Sequence, residues 1–351
     1  MNKYKNLRLG KGAISYLIEV KSLTKIGILA IIAVLLFTVS TCLGDMNISP
    51  WTVLKVFFGG GEYLDRLIVI DFRLPRIIVS LIVGMALAAA GAILQGMIRN
   101  PLASPDVIGI SGGASAAVVA FLAIFSDANN ALTVSVEWLP VAAFLGSSFV
   151  AFLVYVLAWR NGISPIRLVL IGIGISTLMQ AFTTLLMILG PIYQASQANI
   201  WITGTVNGST WKNVWIVLPW TVVLLIFAFV AARNISIQEL GEDIAVGAGS
   251  AIQKNRLLLL MLTTGLVGGA VAFAGGIGFV GLMAPHMARR LVGSSFGLLL
   301  AASAFIGGIL VMAADLIGRT LFIPLEVPAG VFTAAIGAPY FIYLLFRMKN
   351  A

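Results

Sequence analysis

Asp71-Phe-Arg-Leu-Pro-Arg76 and Asn100-Pro-Leu-Ala-Ser-Pro-Asp106 frame a Gly/Ala-rich apolar run, and this framed run decides the fold. It is long enough to cross about 30 Å of hydrocarbon, which takes about 20 residues. A paired-arginine turn opens the span and a Pro-interrupted polar segment closes it. Broken backbone at membrane depth is tolerated only inside protein or beside a water-filled cavity. Charge at one mouth and irregular backbone at the other therefore suit a solute pathway better than a plain anchor.

The rest of the chain reads the same way. Its 351 residues are 60% hydrophobic and 10% charged, more apolar surface than a soluble fold can bury. Candidate spans lie near 26–44, 74–97, 107–125, 138–158, 166–189, 213–232, 256–274, 280–291, 295–319 and 328–346. The eighth is short and amphipathic. The expected fold class is all-α and polytopic, with about ten transmembrane helices. Residues 26–351 would form one membrane domain and 1–25 a basic extension. That extension is too long before the apolar run for a typical signal peptide, and no A-x-A-like cleavage site stands out. The first external loop could hold a short helix near Trp51–Phe58.

With the N-terminus in the cytoplasm, alternation through these spans leaves only Lys55, Arg66, Arg73, Arg76, Lys212 and Arg319 outside among the 22 basic residues. The bias fits a positive-inside, multi-pass protein of the cell membrane with both termini cytoplasmic. It gives the net charge of +9 a topological meaning rather than a nucleic-acid one. Cys42 and His286 are the single cysteine and histidine, which leaves no intrachain disulfide and no His/Cys metal cluster. No phosphate-binding G-x-x-x-x-G-K-[ST] occurs, so nucleotide chemistry would belong to another chain.

Ala90-Gly91-x-Ile93, then Pro101, recurs as Ala274-Gly275-x-Ile277, then Pro285, every position offset by 184. Paired Gly/Pro-interrupted segments in two inverted halves point to a transport pathway, although glycines also serve close helix packing. Asp315 is the clearest carboxylate within a span. Arg319 lies one helical turn later on the same face, as in a local ion pair. A proton relay would need a chain of acidic or histidine groups, and none is visible. The segment Glu239-Leu-Gly-Glu-Asp-Ile-Ala-Val-Gly-Ala-Gly249 starts acidic, as a helix N-terminus favours. It then turns to small residues that allow another surface to approach.

The chain resembles the FecCD/BtuC-like permeases of ABC importers for iron-siderophores, haem and vitamin B12. The motifs are Arg73-Leu-Pro-Arg76, Gly91-Ala-Ile-Leu-Gln95, Asn100-Pro-Leu-Ala-Ser-Pro105, Gly109-Ile-Ser-Gly-Gly-Ala114 and Glu239-Leu-Gly-Glu242. Gly278-Phe-Val-Gly-Leu-Met-Ala-Pro-His286, Asp315-Leu-Ile-Gly-Arg319, Glu326-Val-Pro-Ala-Gly-Val331 and Gly337-Ala-Pro339 follow in order. The resemblance implies ten helices with inverted halves, helices 2–5 and 7–10. It also implies a second permease subunit, identical or paralogous, two cytoplasmic ATPase subunits and an extracytoplasmic solute-binding protein. Membrane lipid, and no nucleic acid, would be the other surroundings.

ATP and Mg would sit on the ATPase, leaving this chain without a cofactor or catalytic role. Arg73, Arg76 and Arg319 would dock the binding protein. Guanidinium forks suit this because they pair bidentately with carboxylates. Asn100 and Leu102 would form the cytoplasmic gate. Glu239, Leu240, Gly241, Glu242, Ala245, Gly247 and Gly249 would couple to the ATPase. Pro285 and His286 fit packing or a helix start better than chemistry. Ferric siderophore is the expected cargo, with cobalamin or haem as alternatives. An ion-coupled secondary transporter is the runner-up mechanism, and a non-transport scaffold ranks behind it. On this reading, charge reversal at Arg73 and Arg319 together weakens docking and leaves folding intact.

Overall fold

The computed structural model describes residues 4–9, 14–126, 132–160, 162–190 and 192–348. In chain order its elements are β1 (Tyr4–Leu9), β2 (Ile14–Glu19), α1 (Val20–Cys42), α2 (Pro50–Phe57), α3 (Tyr63–Arg66) and a π-helical turn over Leu67–Arg73. Then come α4 (Leu74–Ile98), α5 (Ile110–Ile124), α6 (Leu139–Ala158), α7 (Pro165–Leu189), α8 (Ile192–Thr203), α9 (Trp211–Glu239) and α10 (Glu242–Gly247). The chain closes with α11 (Ile252–Ala274), α12 (Val280–Val292), α13 (Phe296–Thr320) and α14 (Ala329–Met348). Among the described residues, eight helical stretches are long and apolar enough to cross a membrane. The short helices α5 and α12 supply the other two expected spans.

Helix starts follow local chemistry. Pro50, Pro75, Pro140 and Pro165 stand in first turns, where a missing N–H costs nothing. Ser49 caps α2 by accepting from the Thr52 N–H at 3.1 Å, and α2 occupies the place expected for a short loop helix. The paired-arginine turn proves to be helix instead. The π turn runs straight into α4. Pro75 cannot donate to the carbonyl of Asp71, and a wider helical turn accommodates that gap.

Helix α4 is the centre of the molecule. It packs against α9, α11, α12 and α13, and 21 of its 25 residues are buried. Small residues make this possible. A Cβ on Gly91 would lie 1.8 Å from the carbonyl oxygen of Gly281 on α12. Two backbones in such contact gain dispersion where lipid offers no hydrophobic drive. Helices α1 and α7 lie at the periphery, with 17% of each apolar window buried against 83% for the α4 stretch.

Two breaks interrupt the helices. The first, 99–109, opens with Arg99 in the left-handed region (φ +55°) and ends at Gly109 (φ +84°). The second, 275–279, runs from Gly275 (φ +66°) to Phe279 (φ +66°). The echo at offset 184 does not survive in register. Ala90, Gly91 and Ile93 are mid-helix in α4, whereas Ala274 ends α11 and Ile277 lies in the second break. Small residues recur for packing reasons, so identity alone does not align the breaks.

The loop expected over 233–255 also begins later, since α9 continues to Glu239. Hydropathy reports membrane thickness, and a helix can run on past it. At the N-terminus, α1 starts at Val20, inside the expected 1–25 extension. β1 and β2 pair antiparallel before it, from Tyr4 opposite Glu19 to Leu9 opposite Ile14. Residues 1–3 and 10–13 of that extension, and 349–351 of the expected membrane domain, lie outside the described residues.

Candidate functional site

The α1 C-terminus presents the carbonyls that every helix end leaves unpaired. Their partners can be counted one by one. Leu43 N–H donates to Val39 at 3.0 Å. Arg319 donates to Ser40, and to Leu43 at 2.9 Å. Arg73 donates to Thr41 at 2.8 Å, to Cys42 at 3.1 Å, and to Met46. Two cations at a helix C-terminus also oppose its dipole. Both side chains are buried. A Cβ on Gly44 would meet Arg73 Nη2 at 2.6 Å, so glycine there lets the guanidiniums close on the chain.

Arg76 completes this clamp one turn further along α4. Its Nε donates to Asp315 at 2.9 and 3.2 Å, and its Nη2 lies 2.9 Å from Asp315 Oδ1. Its Nη1 donates to both oxygens of Glu326 at 3.0 Å and to Asn207 at 3.2 Å. Arg319 Nε stands 3.7 Å from Asp315 Oδ2, the expected i, i+4 pair. The closer partner of Asp315 is Arg76, which the sequence did not suggest. All three expected docking arginines thus meet at one end of the bundle, each already paired within the chain. Arg73 and Arg319 are both buried caps, so reversing them would disturb the fold as well as any docking.

The first break carries the expected gate residues. Asn100 Oδ1 accepts from the Leu102 N–H at 2.9 Å, an Asx turn that also caps the loop. Asn100 is exposed and Leu102 half-buried. Asp106, at the far end of this break, was missed because only the spans were searched for carboxylates. Its Oδ1 accepts from Ser111 Oγ at 2.8 Å. Its Oδ2 also reaches the second break, 3.9 Å from where a Cβ on Gly278 would stand. One carboxylate therefore ties the first break to the second.

The α10 end lies at the other tip of α4, about 37 Å away at 1.5 Å per residue. Gly241 (φ +123°) and Gly249 (φ +78°) bracket α10. Ala245 is buried, whereas Leu240, Ile244 and Val246 are 65%, 58% and 62% exposed. Gly247 has open space around it.

Glu242 pairs with the buried Arg256, which donates to the Ile163 carbonyl at 2.7 Å. Glu242 also lies 3.6 Å from Arg99, and Glu239 lies 3.6 Å from Arg289. Arg99, Arg256 and Arg289 were not singled out in the sequence, since spacing says nothing about which loop meets which helix. His286 stacks edge-on against Tyr340 at 5.9 Å, a packing role. Among the described residues no His, Cys, Asp and Glu group could hold a metal ion.

Comparison with known proteins agrees with this architecture. The FecCD transport family model matches residues 31–347. The Bacillus subtilis "Probable siderophore transport system permease protein YfhA" is 63% identical over 89% of this chain and 91% of its own length. The iron(3+)-hydroxamate import system permease protein FhuG of the same organism is 42% identical over 93% of this chain and 98% of its own. A solved structure described as an inward-facing metal-chelate type ABC transporter superposes with TM-score 0.82 at 26% identity. That match covers 93% of this chain and 99% of the other. With its helical breaks, its buried centre and these relatives, the chain belongs to the FecCD transport family, as a non-catalytic, multi-pass membrane permease subunit of an ABC importer.

Proposed function

We propose that this subunit moves ferric siderophores from a solute-binding protein into the cytoplasm, driven by ATP hydrolysed on partner subunits. The observation that carries the reading is α10. Two exposed aliphatic side chains on this short helix, Ile244 and Val246, with exposed Leu240 just before it and ion pairs to the bundle, suit burial in a partner's groove. Siderophore, rather than haem or cobalamin, is favoured by the names of the relatives.

In this reading residues 239–249, with Gly247 and Gly249 among them, receive the ATPase stroke. Asn100 and Leu102 close the pathway against a second permease subunit, identical or paralogous. Both termini face the cytoplasm. The binding protein docks around Arg73, Arg76 and Arg319. Because Glu326 is one-third exposed on Arg76, it is the carboxylate that a docking partner's own carboxylate displaces. The β hairpin of the 1–25 extension lies on the cytoplasmic side.

The test is uptake of labelled ferric siderophores, haem and cobalamin by cells with and without the gene, under ATP depletion or gradient collapse. Gene-dependent uptake of a ferric siderophore that stops on ATP depletion and survives gradient collapse is expected. Uptake that follows the gradient overturns the mechanism. Replacement of Gly247 by Trp, which meets no neighbour within the chain, should leave the subunit folded and separate ATP hydrolysis from uptake.

A further inference from the structure

Two ion pairs and one close approach at Asp106 close a ring through the part of the molecule that faces α10. Glu242 meets Arg99, the residue that opens the first break, at 3.6 Å. Glu239 meets Arg289, on the last turn of α12, at 3.6 Å. Helix α12 begins right after Phe279, the last residue of the second break. Asp106, back in the first break, closes on Gly278 beside Phe279, its Oδ2 3.9 Å from where a Cβ on that glycine would stand. The segment that carries α10 therefore touches both breaks, one through each glutamate, and the two breaks touch each other.

The strengths of these links differ in an informative way. Arg256 is 4% exposed and anchors Glu242 to α11 and to the Ile163 carbonyl. The Arg99–Glu242 pair is 39% and 48% exposed. The Arg289–Glu239 pair is 31% and 22% exposed. At 3.6 Å neither is a tight hydrogen-bonded fork, and pairs this open contribute little to folding. A contact that adds little stability yet joins an exposed surface helix to a backbone break suits a joint that can open and re-form. Glu242 has one fixed partner and one loose one, so it turns about Arg256 and draws on Arg99.

We propose that Glu242–Arg99 and Glu239–Arg289 are the positioning pairs that pass motion of α10 to the two broken segments together. Arg99 moves the turn holding Asn100 and Leu102, and Arg289 moves α12. Asp106 keeps the breaks in step. The inference rests on the importer reading above, and it adds how the stroke reaches the pathway.

The test uses the whole complex in proteoliposomes, with siderophore uptake and ATP hydrolysis measured side by side. The variants are Arg99→Gln, Glu242→Gln, Arg289→Gln, the double Arg99→Gln/Glu242→Gln, and Arg99→Lys. Arg99→Gln and Arg289→Gln should each retain the ATPase and hydrolyse ATP, while uptake per ATP falls about five-fold, the factor that about 1 kcal/mol supplies. The double variant should be no worse than either single one, as for two residues of one interaction. Arg99→Lys should restore part of the ratio, which a purely steric role would not.

A wild-type ratio in both Arg99→Gln and Arg289→Gln, in a preparation where the wild type imports, overturns this inference alone. So does additive loss in the double variant, or loss of the ATPase from the Arg99→Gln complex. Absence of ATP-driven uptake in the wild type instead overturns the importer reading.

Discussion

The two ends of α4 carry arginines of the same kind in opposite conditions. At the Arg73 end, three guanidiniums are enclosed, and each donates to several oxygens of its own chain. At the Arg99 end, two of three arginines meet their glutamates at 3.6 Å with much of the pair in the open. Burial raises what a charge loses when its partner goes, and exposure lets water replace the partner. The enclosed end is a static clamp that seats the peripheral α1 against α4 and α13. The open end is built to exchange partners. Helix α1 is secured at its other end as well, where Lys25 and Ser22 donate to the last carbonyls of α12.

The contrast can be broken by measuring stability at both ends, in purified subunit or complex, by thermal or chemical unfolding. Arg76→Met should be the most damaging, by about 3–5 kcal/mol, because it leaves Asp315 buried beside only the distant Arg319. Little change there would show that Asp315 is neutral or solvated and that the clamp is not ionic. Gly44→Val should come next, at about 1–3 kcal/mol, by pushing Arg73 off carbonyls that then stay unpaired. Its signature is faster hydrogen exchange near the α1 C-terminus without change at α10.

Arg256→Gln should fall in the same range of about 1–3 kcal/mol, since the Ile163 carbonyl and Glu242 lose a buried donor. It sharpens the comparison, because it is the one enclosed arginine at the open end. Arg99→Gln should be smallest, about 0–1 kcal/mol. A loss as large as that of Arg76→Met would erase the distinction between clamp and joint.

Much of this molecule was legible in one dimension. The spans were readable because apolar length is a local property matched to membrane thickness, and ten segments were found near where helices stand. The motif set Arg73-Leu-Pro-Arg76 to Gly337-Ala-Pro339 was enough to indicate the family. The helical setting of Arg73 was not legible, since Pro75 signals a start and gives no hint of the π turn before it. Nor was Asp106, because a carboxylate directly after a proline in a polar segment reads as a solvated loop.

The amino-acid sequence alone determined that this chain crosses the membrane many times, that a Pro-interrupted break follows its central span, and which residues carry charge near the ends of the spans. Only the tertiary structure decided what those charges meet. Arg76 finds Asp315 across 239 residues of chain, and Arg319 finds the carbonyls of α1 across more than 270. Such partners are set by how helices pack, and packing depends on the whole set of small residues along α4 rather than on any stretch read by itself.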